Sequence, residues 1–276
     1  GSTEDLCRCP EVEAVFVTTP NANHLSDVLT AVSAGKPVLC EKPMGMNAEE
    51  CREMVDAARQ AGVLLGVAQI FRFEESTALL RARVARGDIG RPVFARAEFS
   101  FPGLGHARTW ISDRSIAGGG PIADVGVHCI DALRYVLQDE VVRVNAITRM
   151  DENSGDVEAS AVLALEFGRG TLASVLVSTR AQYRTPIEIV GEAGVLRSDD
   201  ALTVDKPVRI EYWRGGKLLE EETVSNHLAY AKQVDAFATA VERHREFQVP
   251  GEEGLRNQMI LDGAYRSAAS GKSESI

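Results

Sequence analysis

The chain has 276 residues, 45% hydrophobic and 25% charged, and its 30 basic against 40 acidic side chains leave a formal charge of −10. These are ordinary values for a soluble globular protein, with room for two domains or one large one. They speak against nucleic-acid binding, which needs a concentrated basic surface to displace phosphate counterions, and no run of about 18 apolar residues offers a membrane span.

The N-terminal residues Gly1 to Asp5 lack the basic and apolar regions of a signal peptide. Val12–Thr19 is a continuous β-branched run ending at Pro20, as expected of a buried parallel strand. Helical spacing follows from Asn21 to Ala34, and Gly35 is a natural helix stop. Pro37–Glu41 is a second short strand, Asn47 caps a helix through Ala61, Gly62 ends it, and Val63–Gln69 is a third strand. Strand–helix–strand–helix–strand at this spacing predicts right-handed βαβ crossovers. A helix is expected from Glu74 to Arg86, then strands at Val93–Phe101, Val141–Thr148, Ala159–Phe167, Thr171–Thr179, Ile187–Val190 and Val208–Trp213. Gly168-Arg169-Gly170 and Gly215-Gly216 read as hairpin turns. Helices are expected near Gly120–Leu137, Asn226–Arg245 and Glu252–Ala269. The fold class is thus α/β plus α+β. Residues 1–71 are expected to form part of a parallel, Rossmann-type domain. Residues 72–276 are expected to form a substrate-binding domain with a large open, mostly antiparallel sheet and helices on one face.

Five cysteines without zinc-site spacing read as reduced thiols, giving no metal site and a cytoplasmic location. Chemistry is expected beyond the carboxyl ends of the parallel strands. The first ends in Thr18-Thr19-Pro20-Asn21 with His24 close behind, and the second in Cys40-Glu41-Lys42-Pro43. Pro43 biases Lys42 toward an extended conformation, so its ammonium should project into the crevice facing the second domain. Taken alone, the pattern also fits a solvated lysine beside a glutamate. A triple glycine, Gly118-Gly119-Gly120, leads into Asp124 and His128, four residues apart and so on one face of a helix. That pair also fits a capping or core pair. An imidazole titrating near neutrality can take a proton from a hydroxyl, a carboxylate can fix its tautomer, and a lysine can hold the oxygen. This is equipment for oxidising a secondary alcohol or reducing a ketone, with the hydride supplied by a nicotinamide.

Thr19-Pro20-Asn21 with His24, then Glu41-Lys42-Pro43, then Asp124-x-Gly126-x-His128 resemble the Gfo/Idh/MocA oxidoreductases, among them glucose–fructose oxidoreductase and inositol 2-dehydrogenase. The likeness extends to Arg72-Phe73, to Gly87-x-x-Gly90 and to Gly191-x-x-Gly194. It implies a Rossmann half, a C-terminal open-sheet half, and an NAD- or NADP-dependent dehydrogenase or reductase of a sugar, cyclitol or related polyol. It further implies Lys42 as the substrate-orienting lysine, His128 as the acid/base and Asp124 as a substrate-binding or His-orienting carboxylate. Thr19, Pro20, Asn21, His24, Glu41, Arg72 and Trp110 become cofactor contacts, and Asp113 matches the loop of Trp110. Ile111 stands where some members carry arginine. Residues around His128 are nearer to the anhydrofructose-reductase and inositol-dehydrogenase types. A homodimer or homotetramer through the sheet domain is implied as well.

One departure is large. No G-x-G-x-x-G follows a strand anywhere in the chain, and roughly 60 residues, two βαβ units, are expected upstream of the first strand. The chain is therefore expected to be truncated, to expose Val12–Thr19 as an apolar edge, and to bind nicotinamide nucleotide weakly; tight NADH or NADPH binding in a fluorescence titration would refute this. Loss of the fingerprint leaves one alternative, a non-catalytic sugar- or nucleotide-sensing protein on the same fold.

Overall fold

The computed structural model describes residues 1–103 and 109–276. Helix α1 (Thr3–Arg8) starts from a reciprocal cap, in which the Ser2 hydroxyl accepts the Asp5 N–H and the Asp5 carboxylate accepts the Ser2 N–H. Three short strands follow, β1 (Val15–Val17), β2 (Val38–Cys40) and β3 (Leu65–Val67), parallel and in the order β1-β2-β3. Helices α2 (His24–Ser33) and α3 (Ala48–Ala61) make the crossovers. Asn47 caps α3 by accepting the Glu50 N–H, and Gly62 ends it in the left-handed region at φ 66°.

Strand β1 is shorter than the run Val12–Thr19. Lys36 Nζ donates to the carbonyls of Cys9 and Val12 at 3.3 and 2.6 Å, which anchors the approach outside the sheet. Among the described residues β1 pairs with β2 alone. Val15 and Val17 point into the core while Phe16 is 42% exposed.

A 3₁₀ turn (Ile70–Phe73) and α4 (Glu75–Arg86) lead to the second sheet. Its first strand is β4 (Pro92–Ser100), followed by the short α5 (Arg114–Ala117) and by α6 (Val127–Leu137). Then come β5 (Val141–Arg149), β6 (Ser160–Phe167), β7 (Leu172–Ser178), β8 (Ile187–Gly191), β9 (Val195–Ser198), β10 (Pro207–Arg214) and β11 (Lys217–Ser225). Helices α7 (Ala229–Glu242) and α8 (Gly251–Ser270) precede the two-residue β12 (Glu274–Ser275). The order is β11-β10-β9-β8-β4-β7-β6-β5-β12, antiparallel throughout except for β4 beside β7. This is the expected mostly antiparallel sheet. Helix α6 packs on β4 and α8 on β5.

Three strands escape the sequence reading. β11 carries Glu220, Glu221 and Glu222 on an exposed edge, so no apolar alternation marks it. β9 and β12 are too short to show a period.

The two cores do not divide the chain into two consecutive pieces. Phe237, Ala240, Phe247 and Val249 pack with the residues of the three-stranded sheet, while Ile260, Leu261 and Ala264 pack with the nine-stranded one. The return is tight: Val67 N–H donates to the Val249 carbonyl at 2.9 Å, and a Cβ on Gly66 would lie 2.6 Å from the Phe247 ring. Helix α8 thereby locks one sheet against the other and fixes the cleft between them.

Candidate active site

The ends of β1 and β2 open onto a cleft of roughly 680 Å³, mouth included, a volume suited to a small ligand or part of a cofactor. Thr18, Thr19, Pro20 and Asn21 form one wall, Glu41, Lys42 and Pro43 a second, and Trp110, Ile111, Ala117, Gly119 and Asp124 the side contributed by the later chain. Lys42 is held across it. Its Nζ donates to the Asp124 carbonyl at 2.8 Å and to Asp124 Oδ1 at 3.3 Å, with the two side chains 15% and 12% exposed. The Lys42 N–H donates to Glu41 Oε2 at 3.1 Å. An ammonium so placed is fixed in direction and keeps donor capacity for an oxygen in the cleft.

Asp124 sits in a widened turn, Ile122–Gly126, closed from the Val127 N–H to the Ile122 carbonyl, five residues apart. The turn before His128 is thus wider than the α-helical turn that the four-residue spacing predicts. Such π-turns occur often at functional sites. His128, in the first turn of α6, is 8% exposed, with the Phe71 ring edge-on at 4.8 Å and the Phe99 ring stacked at 6.2 Å. Burial, and then the Lys42 charge, push the imidazole well below its ordinary value. Both effects favour the neutral ring over the imidazolium. Its Nδ1 has no hydrogen-bond partner among the described residues, so none of their carboxylates fixes the tautomer from that side.

The other expected residues divide. Thr19, Pro20, Asn21, Glu41 and Trp110 line the cleft. The Thr19 hydroxyl is tied to Asp27 at 2.8 Å, and the Asn21 amide donates to the Ala117 carbonyl at 2.8 Å, joining the first sheet to the Gly118 turn. His24 does not reach the cleft. It is fully buried, with Nδ1 3.0 Å from the Pro43 carbonyl and Nε2 2.9 Å from the Thr19 carbonyl, so it lies between the two strand-end loops. Arg72 is also displaced from the expected role. Its guanidinium is 9% exposed and ion-paired with Asp131 and Glu253, both at 2.7 Å, inside a network that includes Arg134 and Asn257. Asp113 caps α5 by accepting the Ser115 N–H at 2.9 Å.

A second cavity shares Ile111 and Asp124 with the first and extends toward the open sheet's end, lined by Phe101, Pro121, Asn153, Val157, Glu158 and Arg180 among others. Sequence reasoning passed over Glu158 and Arg180, since neither lies in a motif and both approach Asp124 only through the fold. No group of three or more metal-ligating side chains comes together among the described residues, and none of their helices is long and apolar enough to cross a membrane.

The cleft's chemistry fits the nicotinamide half of a dinucleotide. Pro20, Pro43, Trp110 and Ile111 offer flat apolar surface, while Thr18, Asn21 and Glu41 offer polar edges for a carboxamide and a ribose.

Comparison with known proteins matches two family models to the chain. Residues 2–69 match the oxidoreductase family with the NAD-binding Rossmann fold, and residues 77–197 match the GFO/IDH/MocA C-terminal domain. The chain is 34% identical over 277 residues to the 1,5-anhydro-D-fructose reductase of Ensifer adhaerens, covering 100% of this chain and 83% of that protein. It is 32% identical over 218 residues to the inositol 2-dehydrogenase of Pseudomonas fluorescens, covering 77% and 61%. The crystal structure of aldose-aldose oxidoreductase from Caulobacter crescentus complexed with glycerol superposes with a TM-score of 0.90 at 26% identity, over 99% of this chain and 82% of that one. The fold, the strand-end cleft and these likenesses together make the chain a member of the Gfo/Idh/MocA family of NAD-binding oxidoreductases.

Proposed function

We propose that the protein interconverts a secondary alcohol and a ketone on a sugar, cyclitol or related polyol, using NAD or NADP, with Lys42, Asp124 and His128 at the reacting centre. The observation that carries this reading is the Lys42 ammonium fixed against Asp124 across the cleft, close enough to His128 to depress its basicity. The bound nicotinamide supplies or accepts the hydride at the carbinol carbon. Lys42 Nζ donates to the carbinol oxygen and stabilises its alkoxide character. A ring nitrogen of His128, neutral at rest, accepts the hydroxyl proton in oxidation and returns it in reduction. Asp124 holds the ammonium on the oxygen's side of the cleft and offers a carboxylate to a neighbouring hydroxyl.

The relatives' names support the substrate class, since they act on an anhydroketose and a cyclitol. The non-catalytic alternative finds no support among them. The test is a panel of ketoses, polyols and cyclitols assayed with NADH, NADPH and their oxidised forms in millimolar excess. Turnover of a polyhydroxylated ketone or alcohol is expected; turnover confined to simple aldehydes or acids, or none at all, contradicts the proposal.

A second copy of the chain is the proposed partner, giving a homodimer or homotetramer through the open sheet face, where Phe94, Ile147, Val162 and Leu172 are 54%, 70%, 49% and 49% exposed. Light scattering is expected to show an oligomer that Ile147→Asp dissociates, and a monomeric native protein contradicts it. Five unpaired cysteines support a reducing, cytoplasmic setting.

A further inference from the structure

The turn that carries Asp124 takes its N-terminal cap from two residues remote in sequence. Pro121 has no N–H, and the donors on either side of it both go to one buried carboxylate. Gly120 N–H donates to Glu158 Oε2 at 3.0 Å and Ile122 N–H to Glu158 Oε1 at 2.9 Å, and the Tyr265 hydroxyl donates to Glu158 Oε1 at 3.0 Å. Glu158 is 3% exposed and stands just before β6, and Tyr265 comes from α8. Burial, together with the Glu158 charge, pushes the phenol well above its ordinary value, so it stays a donor. The fit leaves no slack. A Cβ on Gly119 would lie 1.7 Å from the Tyr265 oxygen, and one on Gly120 would lie 2.1 Å from the Glu158 carbonyl oxygen. That is a physical reason for the consecutive glycines ahead of Asp124. Arg114 stands over the Tyr265 ring at 4.9 Å and holds its other face.

We propose that Glu158 and Tyr265 are positioning residues for the reaction: the buried carboxylate, with the phenol as its second arm, fixes the backbone from Gly120 to Asp124 so that Asp124 meets Lys42 Nζ. Neither touches the reacting atoms in this role. A carboxylate suits the position because it accepts two backbone N–H groups and a hydroxyl at once, at the positive end of a helix dipole. An amide supplies one oxygen and turns an N–H₂ toward a backbone donor. The inference rests on Lys42 and Asp124 forming the site, but it can be tested without turnover.

The variants are Glu158→Gln and Tyr265→Phe in the full chain, with thermal unfolding as the control for folding. The first readout is the rate at which the Lys42 amine is acylated by acetic anhydride, relative to the other lysines, followed by mass spectrometry. Glu158→Gln is expected to raise it about tenfold, the order expected for losing a hydrogen bond to a charged group, and Tyr265→Phe to raise it less, since the carboxylate remains. The second readout is a fall in kcat with little change in KM for the cofactor. Unchanged Lys42 acylation in both folded variants overturns the proposal. If acylation rises as expected while Lys42→Met leaves turnover intact, the positioning role stands and the functional reading of Lys42 is what fails.

Discussion

Glu74→Gln is expected to make the protein more stable by on the order of 3 kcal/mol at pH 7. Glu74 is 1% exposed at the start of α4, where its Oε2 accepts the Asn226 amide at 2.8 Å and its Oε1 has no partner among the described residues. Burial chiefly, and then the Asp205 charge, push its carboxyl from an ordinary 4.5 up to about 9, against a smaller opposing effect of Lys232. In the unfolded chain the group ionises at its ordinary value, so folding near neutrality requires it to take up a proton. A raised folded-state value means that its contribution to stability is full below pH 4.5 and is lost progressively as pH rises toward about 9. The loss runs at about 1.4 kcal/mol per pH unit across that window. Glutamine keeps the shape and an oxygen for Asn226 but has no charge to bury. The unpartnered position is common to both side chains and cancels to first order. Urea unfolding of both proteins at pH 5.5 and pH 8 checks this. The advantage of the variant is expected to be small at the lower pH and to grow at the higher one. A variant no more stable than the native protein at pH 8 means that the native carboxylate is charged in the fold.

The backbone plan was legible because its signals are local. Asn47 and Gly62 bracket α3 as cap and stop, and Gly168-Arg169-Gly170 turns β6 into β7. The strand ends at Thr19–Asn21 and Glu41–Pro43 were legible for the same reason, as an apolar run meeting a proline marks where a parallel strand opens into a crevice. What failed to show depends on contacts that only the folded chain makes. The resemblance alone implied His24 as a cofactor contact; the fold buries it with its ring nitrogens 3.0 and 2.9 Å from the carbonyls of Pro43 and Thr19. Arg72 lies next to the third strand's end, yet Asp131 and Glu253, 59 and 181 residues away, pull it into a buried network. The four-residue interval between Asp124 and His128 cannot announce a π-turn, and Glu158 becomes part of the site only when β6 is laid beside the glycines. The low basicity of His128 depends on Phe71, Phe99 and Lys42, three residues from three different elements.

Lys42→Met keeps the length of the side chain and removes the charge, and it is expected to lower kcat/KM for hydride transfer by about 10²–10³-fold. Two effects combine in that figure. The carbinol oxygen loses its donor as negative charge develops on it, and Asp124 is released from the ammonium that it now faces. The substitution should also move the acid limb of the pH profile upward. The Lys42 charge is one of the two causes holding the His128 imidazole low, so removing it leaves burial alone and lets the ring protonate at higher pH. A merely structural lysine would not produce that displacement. The most direct measurement follows deuterium from reduced nicotinamide dinucleotide, labelled at the transferable position, into the carbinol carbon of a polyhydroxylated ketone. Label at that carbon with the native protein, and transfer reduced at least about a hundredfold by Lys42→Met in a protein that still folds, is the predicted result; equal transfer by the two proteins would contradict the assignment of this cleft as the reacting centre.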